Sequence, residues 1–594
     1  MVLKSLTYSY RTVWKASKFL LFIILLLKIG LGFVPLLNIW LFEKLFDSIA
    51  TSVSNNTMDT VVFIYLFGLA FTSFLTFVLY RLTDILKKIM SYKFEVYSKR
   101  YIFLQSRNVP YIEYENPEFQ NSYYRVFSGQ QNMLNVVDSS LTIIQSSISL
   151  VTVMWYLLHI DILFILLLII MVLPLYIIEV KNGKQRYELM RKLTEIGRMN
   201  GYLENLLIRR ESLKGIRINN LETYFVDKWE KNFVKSSKEK VRLDIKQTKW
   251  LFLSNIVLVF SYLASGGYVY YLMYKELLTI GVLAAVLQAI QTLQGIVPNL
   301  TGNISTFYES ALHVKEFQGF SPKYERKTVE KRSLPIIESI EAKGLSFTYP
   351  NNVQETIRNI DLSLQRGKKI AVIGNNGSGK TTLIKCLIGL YETSKMVEIN
   401  HSYHLEELNQ EDFRANISVL FQDFNKYDFS IKENISISNV EDLNLDKMVY
   451  YATKTGINDH IQMLPDKYDT ILGRSFGNSK DFSGGQWQKL ALSRAMFKET
   501  DFLFLDEPTS AMDPESEFQI INNLLNEMED VGVVYITHRI NVAMLADEIL
   551  LMEDGEIKER GSHEELVSKK GQYFKLYNRQ LDYLARKEGG VPVG

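Results

Sequence analysis

The stretch Ile370–Thr382, IAVIGNNGSGKTT, carries the strongest fold signal in this sequence. Its four leading apolar residues predict a short buried strand, and a helix is expected from Thr382. Between the two, Gly374–Thr381 matches the pattern G-x-x-x-x-G-K-[ST] of a phosphate-binding P-loop. The glycines let backbone N–H groups turn towards phosphates, and the N-terminus of the following helix adds a favourable partial charge. The stretch therefore predicts a nucleotide-binding α/β domain.

The predicted phosphate-binding residues are consecutive in the chain. Lys380 is expected to reach the β- and γ-phosphates of ATP, and Thr381 is expected to ligate Mg²⁺. The full set is Gly374, Asn375, Asn376, Gly377, Ser378, Gly379, Lys380, Thr381 and Thr382.

Two further apolar runs towards the C-terminus predict neighbouring strands. Phe502–Leu505 is followed by Asp506 and Glu507, and Val533–Thr537 is followed by His538. Acidic residues at the carboxyl end of a strand lie at the edge of an α/β sheet where ligands bind. Asp506 is expected to hold Mg²⁺ through water, and Glu507 to polarise the attacking water. The alternative for this acidic pair is an N-cap of the next helix.

The N-terminal half has the pattern of a membrane domain. A helix needs about 20 apolar residues to cross a hydrocarbon layer of ~30 Å. Lys and Arg concentrate in 81–125 and 181–249, which places both long loops, the N-terminus and the C-terminal half on the cytoplasmic side. The six predicted membrane segments are roughly Phe19–Leu41, Thr60–Tyr80, Val136–Leu158, Ile160–Val180, Leu251–Tyr271 and Leu278–Val297.

The two long loops have helical residue usage with few Gly or Pro, so helices two to five are predicted to continue into the cytoplasm. Their turning points, Tyr111–Tyr123 and Ile216–Phe225, are either ordinary exposed turns or lever tips that dock on the nucleotide-binding half. The charged stretch Gly319–Pro335 predicts a linker. The predicted domains are a transmembrane domain over 1–320, a linker over 321–335, a nucleotide-binding domain over 336–585 and a tail over 586–594.

Composition excludes several classes of protein. The 594 residues contain 67 Lys and Arg against 65 Asp and Glu, a net charge of +2. A nucleic-acid binder that works through bulk charge would be strongly basic, so no nucleic-acid partner is expected. Cys386 is the single cysteine, which rules out an intrachain disulfide and a multi-cysteine metal site.

Taken in order, these motifs resemble those of the ATP-binding cassette (ABC) superfamily. The segment Phe482–Gln486, FSGGQ, is similar to that family's LSGGQ signature. Gln422 resembles the Q-loop glutamine, a ligand of Mg²⁺, and Tyr349 resembles the A-loop aromatic that stacks on adenine. His538 resembles the switch histidine. The resemblance implies that Glu507, His538 and Gln422 are catalytic, and it adds four residues to the nucleotide site, namely Ser483, Gly485 and Gln486 of the signature and Asp513 of the D-loop Ser510–Asp513.

The resemblance also implies an architecture. Six helices with long cytoplasmic extensions, fused to a P-loop ATPase domain, resemble the type I exporters, which are also called the type IV fold. In that family two nucleotide-binding domains close on two ATP molecules, so the chain is expected to act as a homodimer in a lipid bilayer. ATP and Mg²⁺ are the expected cofactors, and alternating access driven by ATP hydrolysis is the expected mechanism.

Three phrases in the ATPase half look like those of lantibiotic exporters of the nisin and subtilin type: Ile417–Phe424, Lys426–Asn434 and Ser483–Leu492. The resemblance implies export of a modified lanthipeptide precursor across the plasma membrane of a bacterium, with lanthipeptide modification enzymes as further candidate partners. Two alternatives stay open. One is a multidrug or lipid exporter, and the other is a bacteriocin-resistance sensor that does not transport.

Polar residues within the apolar segments are the candidates for contact with cargo. Gln288, Gln291 and Gln294 recur at i, i+3 and i+6 in the sixth segment. Such residues face either a watery cavity, where glutamines would suit a peptide, or a neighbouring helix that they hold in place. Lys28 in the first segment is expected to snorkel to the interface or to pair with an acidic side chain.

Overall fold

The computed structural model describes residues 2–275, 278–323, 334, 336–350, 352–474, 476–477, 479–509 and 512–587. Most of the predicted linker and tail lies outside the described residues, as do Ser510 and Ala511 of the predicted D-loop. The chain divides into a unit formed by Met1–Val109 with Asn116–Arg326, and a second unit formed by Pro110–Glu115 with Lys327–Gly594. The first predicted turning point is therefore split, because its beginning groups with the C-terminal unit.

The first unit is built mainly from long helices. Four of the six predicted membrane segments lie wholly within them, and the fourth and sixth segments begin three and two residues before the helices that contain the rest of them. At ~1.5 Å per residue, the 47 residues of Thr60–Ser106 extend about 70 Å, more than twice the thickness of a hydrocarbon layer. The helices are α1 Val2–Ser54, α2 Thr60–Ser106, α3 Pro117–Leu158, α4 Leu163–Ile208, α5 Arg210–Ile218, α6 Glu222–Tyr274 and α7 Ile280–Lys323.

Local sequence accounts for where several of these helices begin or break. Asp59 caps α2 by accepting a hydrogen bond from the Val61 N–H, and Asn116 caps α3, which opens with a proline. Ser17 has non-helical dihedral angles (φ −161°, ψ 59°), so α1 is kinked there, just before its predicted membrane segment.

Across the described residues, α1, α2, α3 and α7 are long and apolar enough to cross a membrane. The outer face of α2 supports this assignment, since Phe63, Phe67 and Phe74 are 63%, 71% and 65% exposed. An apolar face of this size is unfavourable in water and normal in lipid. Six spans remain a prediction, because α4 and α6 are helical over the expected segments but are not among these four.

The second unit contains two sheets. The strands are β1 Ser339–Phe347, β2 Ile357–Gln365, β3 Lys369–Gly374, β4 Val397–Ile399, β5 Tyr403–His404, β6 Ile417–Leu420, β7 Phe502–Asp506, β8 Gly532–Ile536, β9 Glu548–Glu553 and β10 Glu556–Gly561. One sheet has the order β2-β1-β4-β5, and the other has the order β10-β9-β3-β8-β7-β6.

Ten α-helices of this unit are described. They are α8 Lys380–Leu387, α9 Gln410–Ala415, α10 Ile431–Ser436, α11 Leu445–Lys454, α12 Asn458–Gln462, α13 Gly484–Phe497, α14 Pro514–Glu527, α15 Ile540–Ala543, α16 His563–Lys569 and α17 Gln572–Lys587. The helix expected from Thr382 begins two residues earlier, at Lys380, because the turn ends at Gly379 with φ +98°.

The larger sheet positions the functional loops. Strand β3 pairs in parallel with β8, and β8 pairs in parallel with β7. Ile536 lies opposite both Val372 and Asp506, so all three strands reach their carboxyl ends at the same edge. Every residue of β7 and β8 is buried, which explains their continuous apolar sequence. The loops that carry Lys380, Glu507 and His538 therefore meet above one edge of the sheet.

Candidate nucleotide site

The loop between β3 and α8 requires glycine for its conformation. Gly377 and Gly379 have φ of +82° and +98°, a region that side chains with a Cβ rarely enter. A Cβ at Gly379 would also lie 2.9 Å from the Thr356 carbonyl oxygen. The P-loop spacing found in the sequence is thus the spacing that this turn needs.

Lys380 lies beneath this loop and shapes it. Its Nζ donates hydrogen bonds of 2.9 Å to the carbonyl oxygens of Gly374 and Asn375. Burial lowers the pKa of the Lys380 amine, and the nearby carboxylates of Glu507 and Asp506 oppose that shift. A buried ammonium group at the start of a helix is suited to hold a phosphate.

Thr381 and Asp506 form an oxygen-donor pair at the edge of the sheet. The Thr381 hydroxyl donates to Asp506 Oδ2 at 2.8 Å, and Asp506 is 2% exposed. Burial raises the pKa of Asp506, while the hydrogen bond from Thr381 opposes the rise. Hydroxyl and carboxylate oxygens are ligands that Mg²⁺ prefers, so the chemistry of this pair fits the predicted ion.

Glu507 is held by two neighbours. One carboxylate oxygen accepts a hydrogen bond of 2.8 Å from the Gln422 amide, and the other lies 2.7 Å from His538 Nε2. The backbone of Glu507 adopts φ +47°, which is unusual for a residue with a side chain. Such strain costs about 1–3 kcal/mol and is concentrated at functional sites. The structure thus brings together the three residues expected to be catalytic, although Gln422 contacts Glu507 and not the Thr381–Asp506 pair.

Most of these groups, but not Asp506, line one cavity of about 560 Å³. Nine of the predicted residues line it: Asn376, Gly377, Gly379, Lys380, Thr381, Thr382, Gln422, Glu507 and His538. One lining residue, Thr356, was not predicted from the sequence, because it precedes β2 and belongs to no motif. Tyr349 lies nearby, where its hydroxyl is 3.1 Å from the Thr382 hydroxyl.

The signature residues lie elsewhere in the same unit and do not line this cavity. Ser483 caps α13 in a capping box, because its hydroxyl accepts from the Gln486 N–H and the Gln486 side chain accepts from the Ser483 N–H. Gly485 lies in the first turn of the same helix. Asp513 caps α14, and the Ser516 N–H lowers the pKa of its carboxyl group. Within the described part of the chain, none of these four residues lines the P-loop cavity.

The first turning point packs inside the C-terminal unit. The segment Tyr111–Glu115 forms a 3₁₀ helix, and Glu115 accepts a hydrogen bond of 2.6 Å from the Tyr391 hydroxyl. Burial and this carboxylate raise the pKa of Tyr391, which keeps the hydroxyl protonated and donating. The Tyr391 ring packs edge-on against Tyr349 with centroids 5.7 Å apart. Two side chains therefore connect the turning point to the residue predicted to stack on adenine.

Comparison with known proteins adds independent information. A family model described as ABC transporter matches residues 357–510. The subtilin transport ATP-binding protein of Bacillus subtilis is 26% identical, over 97% of this chain and 94% of that protein. The nisin transport ATP-binding protein of Lactococcus lactis subsp. lactis is 28% identical, over 92% of this chain and 91% of that protein.

Other relatives match a smaller part of the chain. An ATP-dependent lipid A-core flippase of Haemophilus influenzae is 32% identical over 42% of this chain and 42% of that protein. Among solved structures, a bacterial Atm1-family ABC exporter with ATP bound superposes with a TM-score of 0.79 at 18% identity, covering 94% of this chain and 98% of the other. This last likeness extends over both units and confirms the predicted fold class, a helical membrane region fused to an α/β ATPase domain.

Proposed function

We propose that this chain, which is a membrane-embedded ABC exporter and couples ATP hydrolysis to transport, carries a modified antimicrobial peptide of the lanthipeptide class. The observation that supports this cargo is the extent of the two lantibiotic-transporter alignments, 97% and 92% of the chain. Alignments of that length include the helical unit, through which cargo must pass. The lipid A flippase match, at 42% of the chain, leaves more than half of it unmatched.

The working form in this proposal is a homodimer in the cytoplasmic membrane of a bacterium, with both termini and the ATPase domain inside. Ser483, Gly485, Gln486 and Asp513 lie away from the P-loop cavity of their own chain. The signature can bind ATP only when a P-loop lies opposite it, and in the homodimer the second subunit provides that P-loop. Each of the two sites then pairs the P-loop of one subunit with the signature of the other.

Within each site the residues have separate roles. Lys380 and the loop N–H groups bind the phosphates, while Thr381, Asp506 and Gln422 would hold Mg²⁺, which would neutralise phosphate charge. The Glu507 carboxylate accepts a proton from the attacking water, and His538, 2.7 Å away, orients that carboxylate. A fixed carboxylate needs no rearrangement when the reaction begins.

Tyr349 supplies the surface for adenine in this proposal. Replacement Tyr349→Ala is expected to raise the Kd for ATP about tenfold, since stacking of a base on an aromatic ring contributes about 1–3 kcal/mol. Tyr349→Phe is the matched control, because it keeps the ring and removes only the hydroxyl that lies 3.1 Å from Thr382. Titration of both purified variants with a fluorescent ATP analogue measures the effect. Equal losses in the two variants would assign the contribution to the hydroxyl and contradict stacking.

The cargo is tested by ATP-dependent uptake into inside-out vesicles that contain the full-length protein. A leader-bearing lanthionine peptide is the cargo, a lipophilic dye is the competitor, and Glu507→Gln is the inactive control. Peptide accumulation that the mutant loses is the expected result. Dye uptake without peptide uptake would favour a multidrug exporter, and ATP hydrolysis with no uptake of either would favour a sensor.

A further inference from the structure

We infer that Lys28 forms a subsite for a carboxylate of the cargo inside the helical unit, an inference that rests on the proposed peptide-export function. The subsite is a cavity of about 370 Å³ between α1, α2, α3 and α7. Ligand pockets in proteins range over roughly 300–1,000 Å³, so this cavity is sized for a small part of a peptide and not for the whole.

The walls of the cavity are mostly amides and hydroxyls. Gln288, Thr292 and Asn299 line it from α7 at i, i+4 and i+11, which is one face of a helix. Gln145 and Asn38 add amides from α3 and α1. The Gln288 side chain has no hydrogen-bond partner among the described residues, so its amide is available to a bound molecule.

This arrangement corrects the glutamine stripe suggested by the sequence. Gln288 lines the cavity, whereas Gln291 is exposed and neither Gln291 nor Gln294 belongs to the lining. A spacing of three residues advances about 300° around a helix of 3.6 residues per turn, so the two steps from Gln288 to Gln294 leave the original face. The polar face that the cavity uses is continued by Thr292 and Asn299 instead.

Among the described residues of the lining, Lys28 is the only charged one. It is 5% exposed, and its Nζ donates one hydrogen bond of 3.2 Å, to the Thr142 hydroxyl. No carboxylate among the described residues lies within ion-pair distance of Lys28, so the expected pairing with an acidic side chain is not found there. An ammonium group has three N–H donors, and only the donor to Thr142 is hydrogen-bonded among the described residues, so two donors are available to a ligand.

The charges near Lys28 do not remove the need for an anion. Lys87, Asp138 and Asp84 are its charged neighbours. Lys87 and Asp138 form an ion pair of 2.5 Å with each other, and Asp84 is exposed. A buried charge is costly unless it is paired, and an ionisable residue in a membrane helix marks a functional site by default. The geometry favours an anionic ligand that also carries amide groups next to its charge, because those amides can accept and donate hydrogen bonds.

A peptide carboxylate fits these requirements better than a lipid phosphate. Beside Lys28, the polar side chains of the lining can form hydrogen bonds with the peptide's backbone amides. Such amides lie next to any acidic side chain or chain terminus of a peptide. A phospholipid would place acyl chains next to its phosphate, and the lining offers them few apolar residues, chiefly Leu31, Val34 and Ile296. Both ligands share the same contact with the ammonium group, so the experiment must separate them.

The test compares two forms of one leader-bearing lanthionine peptide. In the acid form all carboxylates are free, and in the amide form each is replaced by its isosteric carboxamide. Binding is measured by fluorescence anisotropy with the full-length protein in phosphatidylcholine nanodiscs. We expect the acid form to bind at least about tenfold more tightly, since hydrogen bonds to charged groups are the stronger ones. This comparison uses the unaltered protein, so it does not depend on how a variant folds.

Three variants then assign the preference to Lys28. Lys28→Gln should abolish the preference for the acid form, and Lys28→Arg should retain most of it. Lys44→Gln is the matched control, because Lys44 lies on the same helix, pairs with Glu43 at 3.0 Å and does not line the cavity. It should leave the preference unchanged.

Several outcomes would overturn the inference. The first is equal binding of the two peptide forms, and the second is a preference for the acid form that survives in Lys28→Gln. The third is equal binding of the two forms together with stimulation of the ATPase rate by phosphatidylglycerol nanodiscs, where that stimulation is lost in Lys28→Gln. The last result would assign the anion to a lipid phosphate. Failure of the proposed function is distinct from all three, because neither peptide form would then bind or enter vesicles.

Discussion

Glu507→Gln is expected to lower the steady-state ATPase rate about 10²- to 10⁴-fold while ATP remains bound, the range lost when a general base is removed. The substitution keeps the size of the side chain and the left-handed backbone of Glu507, so the site should retain its shape. Gln422 and His538 then hold a neutral amide that cannot accept a proton from water. The measurement is phosphate release alongside retention of labelled ATP.

Glu441→Gln provides the matched control for this experiment. Glu441 is an exposed glutamate of the same domain and does not line the nucleotide cavity. Its replacement should leave the rate unchanged. Normal turnover in purified Glu507→Gln protein would refute the assignment of Glu507 as the base and redirect attention to His538.

Lys380→Ala is expected to weaken ATP binding about 10- to 100-fold and to lower the ATPase rate by at least about a hundredfold. A hydrogen bond to a charged group contributes about 1.5–3 kcal/mol, and a positive group that faces a transferring phosphoryl stabilises its charge further. The lysine also stabilises its own loop, because its Nζ donates hydrogen bonds of 2.9 Å to the carbonyl oxygens of Gly374 and Asn375. Calorimetric titration with ATP measures the first effect, and phosphate release measures the second.

Lys432→Ala is the matched control, because it tests whether removal of a lysine outside the nucleotide site also weakens ATP binding. Lys432 lies on α10, is half exposed and pairs with Asp469 at the surface. An exposed pair of this kind contributes about 0–1 kcal/mol, so its loss should leave ATP affinity unchanged. Melting temperatures of both variants check that the fold is intact. Wild-type ATP affinity in a folded Lys380→Ala protein would contradict the proposed role.

Some features of this protein followed from residues that are close in the sequence. The P-loop was predicted because a strand, a turn with glycines at positive φ and a helix start all lie within Ile370–Thr382. The expected position of Asp506 and Glu507 followed from the rule that parallel strands carry ligands at their carboxyl ends. The match of residues 357–510 to the ABC transporter family model, and the ATPase activity that it supports, rest on such local motifs in a fixed order.

Contacts between distant residues could not be predicted in the same way. Gln422 and Glu507 are 85 positions apart, and Tyr391 and Glu115 are 276 positions apart. Neither pair has a spacing that any helix or strand imposes. The parallel pairing of β6 with β7 brings Gln422 to Glu507, and the packing of the 3₁₀ helix brings Glu115 to Tyr391. Thr356 was missed for the same reason, because only the close approach of Gly379 places it beside the phosphate loop.

The sequence by itself determined the fold class, the nucleotide-binding loop and the apolar helices, because each depends on the period, length or turn chemistry of one short stretch. The tertiary structure decided which side chains hydrogen-bond to Glu507, which face of α7 borders a cavity and which groups surround the Lys28 ammonium. Periodicity shows which residues share a face of a helix, but it does not show which neighbour that face meets. That choice is made only when several helices or strands bury their apolar surfaces against one another at the same time.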